Sequence, residues 1–263
     1  MVESTVSLAV VFPDLLGTYG DGGNATILAQ RLRWRGIAAD VLTVGLGRPL
    51  PSSCDAYLLG GGEDAPQALA AAELRAGGAL AQAVERGAVV LAVCAGLQVV
   101  GTRFLTADGL RDGVGLVDLE TVRGLPRRAV GELVVEPAGV LGVPTLSGYE
   151  NHAGLTRLGP GVTPLGRVRA GIGNGADSVD GVVAGRILGT YLHGPVLARN
   201  PALADLLLTW VVGELPAADP ALAAADQEAA GLRADRLEAA HAAGPRWRRF
   251  RRRAAPSETA ARR

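Results

Sequence analysis

The chain has 263 residues, 48% of them hydrophobic, with 26 basic and 26 acidic side chains and therefore no net charge at neutral pH. That length suits one large domain or two small ones with well-filled cores, and the charge balance gives no global attraction to nucleic acid or to an anionic membrane. No lysine occurs, the two cysteines make no disulfide framework, and no apolar run reaches the roughly 18 residues of a membrane span, so a reducing, cytoplasmic setting is expected.

Residues 6–12 form an apolar run and predict a first strand, followed by a glycine-rich loop over residues 13–24. Residues 25–35 place apolar side chains at helical spacing, with Gly36 as a stop. Residues 38–44 and 56–59 predict two more strands, the second opening into Gly60-Gly61-Gly62-Glu63-Asp64. Residues 65–86 are alanine-rich and helical, interrupted at Gly77-Gly78. Residues 88–93 are continuously apolar and rich in valine, which predicts a strand buried on both faces. This alternation implies βαβ units: an α/β, three-layer fold with a mostly parallel sheet covered by helices on both faces.

From residue 101 to 185 the pattern changes. Short apolar runs at 114–117, 130–135, 145–146 and 182–183 alternate with glycine, proline and asparagine, predicting extra strands and loops flanking the main sheet. Residues 187–192 predict another strand ending at His193-Gly194-Pro195, and Asn200-Pro201 opens a helix over 202–212. Residues 214–243 are alanine-rich and predict a loosely attached helix. Residues 245–263 are arginine-dense and read either as a disordered, solvated tail or as a contact for an anionic partner.

Two residues stand where chemistry is done. Cys94 follows the valine-rich strand and is flanked by small residues that allow a sharp strand-to-helix turn, the geometry of a nucleophile elbow. Such a turn places the thiol at a helix N-terminus, where thiolate is favoured. A buried core cysteine fits the same stretch. His193 ends an apolar strand as Cys94 does, so the two could meet at one sheet edge as nucleophile and general acid. Taken alone His193 reads equally as a core or loop histidine. The glycines at 60–62 would sit at a carboxyl strand end and could face backbone N–H groups toward a reacting oxygen, or simply form a tight turn. Cysteine and histidine spacing gives no zinc pattern, and no metal site is expected. His241, in the tail, is not expected in the site.

Ala92-Val93-Cys94-Ala95-Gly96-Leu97-Gln98, the glycine loop and Tyr191-Leu192-His193-Gly194 together resemble the class I glutamine amidotransferases, in particular the cobyric acid synthase-like branch. Tyr-Gly-Asp-Gly-Gly-Asn at 19–24, Arg-Leu-Arg-Trp-Arg-Gly at 31–36, Gly-Gly-Gly-Glu-Asp at 60–64 and Gly-Tyr-Glu-Asn-His at 148–152 resemble, more narrowly, the GatD family of glutaminase subunits of lipid II isoglutaminyl synthase. The similarity implies an amidotransferase domain over residues 1–213 and a separate, loosely ordered or disordered tail over 214–263. It implies that Cys94 forms a thioester with glutamine, that His193 protonates the departing nitrogen, and that N–H groups of Gly61, Gly62 and Ala95 form the oxyanion hole. It also implies that Arg128 and Gln98 bind the substrate, with a guanidinium suited to a carboxylate. His152, within the 148–154 motif, is expected to scaffold its loop.

The resemblance further implies a MurT-like, Mur-ligase-type synthetase partner that receives ammonia and amidates the D-glutamate α-carboxyl of lipid II. ATP and magnesium are expected on that partner, and no cofactor on this chain, which has no P-loop. Alternatives are a glutaminase domain for corrin amidation and a non-catalytic binding subunit with the same fold. The sequence departs from the class at two positions. Ala92 stands where many members have glycine, and Pro195 stands where the class has the glutamate that orients its histidine. The latter gap leads to the expectation that the partner supplies the missing carboxylate.

Overall fold

The computed structural model describes residues 5–125, 128–175 and 177–243, with side chains through residue 240. Its centre is a six-stranded sheet built from β1 (Val6–Val11), β2 (Ala39–Val44), β3 (Ala56–Leu59), β4 (Val89–Val93), β13 (Val182–Ala184) and β14 (Ile187–Thr190). The spatial order is β13-β14-β4-β3-β1-β2. All neighbours run parallel except the β13–β14 hairpin at one edge. The central strands β3 and β4 are buried at every position, which is why their sequences are continuous apolar runs.

Two groups of helices cover this sheet. One comprises α2 (Gly23–Arg33), α6 (Val196–Arg199) and α7 (Pro201–Val212); the other comprises α1 (Pro13–Leu16), α3 (Asp64–Gly77), α4 (Ala79–Glu85) and α5 (Ala95–Val100). Gly78, at φ 63°, separates α3 from α4 where the glycine pair was expected to interrupt a single helix. Alanine, valine and leucine make up most of the core between the layers.

The extra strands form two further four-stranded sheets. One orders β10 (Gly154–Leu158), β7 (Leu119–Arg123), β5 (Arg103–Thr106) and β6 (Gly109–Asp112) side by side. The other orders β12 (Val179–Asp180), β11 (Gly166–Ala170), β8 (Ala129–Pro137) and β9 (Leu146–His152). The run at 114–117 is not a strand. Its backbone N–H groups bond back to Val99, Val100 and Gly101, and Gly115 turns the chain at φ 78°, so extended pairing begins only at Leu119.

The alanine-rich segment is one helix, α8 (Pro220–Ala243). Arg31 holds its first turns, bonding Asp226 at 2.5 Å while forking onto Asp205 of α7 at 2.7 and 2.8 Å. Arg233 donates to the carbonyl of Thr145, and Ala240 packs on Val134 and Ala170 of the outer sheet. The arginine-dense stretch from residue 245 lies outside the described residues. No helix among the described residues is long and apolar enough to cross a membrane.

Candidate active site

The site is built at the carboxyl edge of the main sheet. β4 runs into Cys94, whose backbone takes φ 52° and ψ −101°, and α5 begins at the next residue. A residue with a Cβ adopts this conformation only when its surroundings hold it there. The Cys94 N–H is held by the carbonyl of Thr190 at 2.8 Å, and the Gly96 N–H by the carbonyl of Gly60 at 3.1 Å. Position 96 must be glycine. A Cβ there would lie 2.7 Å from both the Cβ and the carbonyl oxygen of Leu59, so any side chain would push the elbow off the neighbouring strand. Ala92, the departure from the class, is fully buried in β4 and the sharp turn forms after it.

His193 reaches the same edge because β14 pairs in parallel with β4, Thr190 standing opposite Val93. Beyond the strand, two backbone bonds to Tyr149, of 3.1 and 2.8 Å, fix the histidine's main chain. Asp180 steadies the approach by accepting from the Thr190 hydroxyl at 2.6 Å and the Tyr191 N–H at 3.3 Å; burial pushes its carboxyl up to about 7.

The imidazole of His193 is wholly buried, and its Nδ1–H donates to Asp21 Oδ2 at 2.9 Å. Burial by itself disfavours a charged ring. The Asp21 carboxylate and the neighbouring Cys94 sulfur outweigh it and push His193 up to about 10. Nε2, the nitrogen facing away from Asp21, has no hydrogen-bond partner among the described residues. The expectation that a partner must supply the histidine's carboxylate is corrected here: Asp21 of this chain occupies that position. Pro195, which replaces the usual glutamate, packs instead against the turn that carries Asp21. A Cβ on Gly23 would lie 2.5 Å from its Cγ.

A cavity of about 160 Å³ opens beside the thiol, lined among others by Gly62, Cys94, Ala95, Gln98, Arg128 and Asn151. The N–H groups of Gly62 and Ala95 have no acceptor among the described residues. Gly61 differs from its expected role: its N–H donates to Asp21 Oδ2 at 2.9 Å and so orients the carboxylate rather than facing the cavity. A Cβ at this position would lie 2.7 Å from His193 Cε1, so the loop approaches the ring closely.

Gln98 lines the cavity with its amide anchored, Oε1 accepting from Gln67 at 2.8 Å and Nε2 donating to Tyr191 at 3.1 Å. Arg128 lies at the mouth. Its Nε bonds the side-chain oxygen of Asn151, and one terminal nitrogen reaches the Asn151 carbonyl at 3.2 Å. Asn151 in turn donates to the Tyr19 hydroxyl at 2.6 Å, and the Tyr19 ring meets His193 edge-on, centroids 4.8 Å apart.

His152 also lines the cavity. Its ring stacks on Tyr191 at 3.8 Å, its Nδ1 pairs with the Gly154 carbonyl at 3.1 Å, and its Nε2 lies 3.5 Å from Glu150. These contacts tie it into the wall. The side chain of His241 lies outside the described residues. Among those residues, no group of three or more His, Cys, Asp or Glu is placed to hold a metal.

Sequence reasoning put Cys94 and His193 at one sheet edge, where the structure also has them, and did not single out Asp21, Tyr19, Asn151 or Gln67. For Asp21 a signal existed: it is the acid between two glycines at the carboxyl end of the first strand. For the others no periodicity marks the position.

Comparison with known proteins shows the family of the chain. Residues 7–201 match the family model of the CobB/CobQ-like glutamine amidotransferase domain. The chain is 37% identical over 199 residues to the lipid II isoglutaminyl synthase (glutamine-hydrolyzing) subunit GatD of Staphylococcus aureus, covering 74% of this chain and 79% of that one. It is 33% identical over 208 residues to the subunit of the same name from Streptococcus pneumoniae, covering 78% and 79%. Among solved structures, a chain of PurLQS from Thermotoga maritima superposes with a TM-score of 0.57 at 16% identity, over 80% of this chain and 99% of that one, a likeness of fold.

Proposed function

Because the chain belongs to the CobB/CobQ-like glutamine amidotransferase family and within it to the GatD subunits of lipid II isoglutaminyl synthase, we propose that it hydrolyses L-glutamine through a Cys94 thioester. The ammonia passes to a MurT-like synthetase subunit, which uses ATP and magnesium to activate the D-glutamate α-carboxyl of lipid II and amidates it to D-isoglutamine. We place this reaction in the cytoplasm, where ATP is available.

The steps follow from the side chains in place. Glutamine enters the cavity with its α-carboxylate toward the Arg128 guanidinium and its side-chain amide toward Cys94. With its proton already on His193 Nε2, the Cys94 sulfur attacks the amide carbon. The carbonyl oxygen becomes an oxyanion facing the N–H groups of Ala95 and Gly62. Collapse breaks the C–N bond while His193 returns the proton to nitrogen, so ammonia leaves and the thioester remains. Water then gives its proton to His193 and attacks the thioester, which releases glutamate and restores the thiolate. Asp21 keeps the histidine in one tautomer and stabilises its charged form throughout.

The observation that carries this reading is the Asp21–His193 pair at the sheet edge that also carries the Cys94 thiol, on a turn at φ 52°, beside a cavity whose lining includes an arginine. The test uses the complex assembled with the synthetase subunit, with lipid II as acceptor. Cys94→Ala should abolish amidation driven by glutamine and leave amidation driven by ammonium salts. Persistent glutamine-driven amidation would overturn the proposal. Amidation of a corrin carboxylate in place of lipid II would move the chain to the other branch of its family.

A further inference from the structure

The loop that carries Asp21 has a second contact with the site. Tyr19 stands two residues before that acid, at φ 70°, in the left-handed region that a residue bearing a Cβ rarely adopts. Three contacts outside the loop hold it there. The Thr18 N–H bonds the Gly61 carbonyl at 3.1 Å, the Tyr19 ring lies against His193, and the Tyr19 hydroxyl accepts from Asn151. Tyr19 is 39% exposed while His193, against which its ring lies, is fully buried, so Tyr19 forms part of the outer cover of His193.

Asn151 spends both ends of its amide on this arrangement, its oxygen on Arg128 and its nitrogen on Tyr19. A continuous polar path therefore runs from the guanidinium at the cavity mouth, through one amide, to the phenol above the histidine. Its members come from sequence positions 19, 128, 151 and 193, and two of its links are side-chain hydrogen bonds with no role in the sheets.

We infer that Tyr19 and Asn151 are positioning residues that couple occupation of Arg128 by the substrate's α-carboxylate to closure of the cover over His193. The inference rests on the glutaminase reading and deepens it. A carboxylate clamped by Arg128 fixes the guanidinium, which fixes Asn151, which holds Tyr19 down. By linkage, the same path makes a closed Tyr19 favour tight binding of the carboxylate. An amide lacking the α-carboxylate would reach Cys94 without this help, so the path contributes to selection of a free amino acid over a side-chain amide within a protein.

Two thiol reagents separate the coupling from a merely structural role. One is a chloroketone shaped like glutamine, which keeps the α-amino and α-carboxylate groups; the Cys94 sulfur displaces its chloride. The other is iodoacetamide, which has neither group and loses iodide to the same sulfur. The quantity read is the ratio of their inactivation rate constants on the full chain. Tyr19→Phe keeps the ring over His193 and removes only the hydroxyl, and should lower that ratio about fivefold, the loss of one hydrogen bond. Asn151→Ala should lower it at least as much. The double variant should match Asn151→Ala alone, because both changes cut one path. An unchanged ratio in Tyr19→Phe, or a double variant equal to the product of the singles, overturns the coupling. A wild-type chain with no preference for the glutamine-shaped reagent overturns the glutaminase reading and the coupling with it.

Discussion

The two halves of the site are held in different ways. Cys94 is placed by contiguous chain: a buried strand, a strained turn and the first residue of a helix, with backbone groups of Thr190 and Gly60 closing the corner. His193 is placed by a side chain 172 residues away, Asp21, whose own position depends on the Gly61 N–H and on a glycine-rich loop. Cys94 is thus a local structure set into the sheet, and His193 is held by an assembly across the sheet edge. Steric damage should harm the first, and loss of one polar atom the second.

The largest expected effect comes from the assembled half. Asp21→Asn keeps the shape and removes the charge, and should lower glutamine turnover by about a thousandfold, read by steady-state kinetics of the complex. The pH dependence gives a second reading. The folded ring holds its proton up to about pH 10, whereas the ordinary value is 6.5. Its contribution to stability is therefore complete below pH 6.5 and lost as pH rises toward 10. In Asp21→Asn the ring should titrate lower, so the loss, followed by urea midpoints across this window, should be smaller and end at a lower pH. A window that does not move would show that Asp21 does not set the proton affinity of the histidine.

The local half should fail by crowding. Gly96→Ala puts a methyl group against Leu59 backbone and should cost about 1–3 kcal/mol of stability, measured by denaturant unfolding, with activity falling alongside. A neutral outcome would mean the elbow can shift without harm. The smallest effect belongs to a region remote from both halves. Asp226→Ala removes a partly exposed partner of Arg31 at the start of α8 and should cost no more than about 1 kcal/mol, with turnover unchanged. Its readout is protease sensitivity of the C-terminal helix together with the glutaminase rate.

The local half was the legible one. A valine-rich run ending in cysteine between small residues announces a buried strand and a sharp turn, and both formed with the expected boundaries within a residue. His193 was legible for the same reason, since it closes an apolar run of its own. Asp21 was not, because it lies 172 residues from His193, whose neighbours in sequence hold Pro195 in place of an acid. Which loops face one another at a sheet edge depends on strand order, and the order β14-β4-β3-β1 carries no mark in the chain. Gly61 was misread for a related reason: a glycine loop offers several N–H groups, and only the position of Asp21 decides which remain free.

By itself, then, the sequence determined the alternation of strands and helices, the elbow at Cys94 and the set of motifs shared with the glutamine amidotransferases. These are written in short windows, as hydrophobic periodicity and as residue types a tight turn demands. Only the tertiary structure decided that Asp21 completes the histidine's surroundings, that Gly61 serves that acid, and that Tyr19 and Asn151 link the histidine to Arg128. Hydrogen bonds between distant loops depend on positions of a few tenths of an ångström fixed by packing of the whole sheet, and no local pattern of residues encodes them.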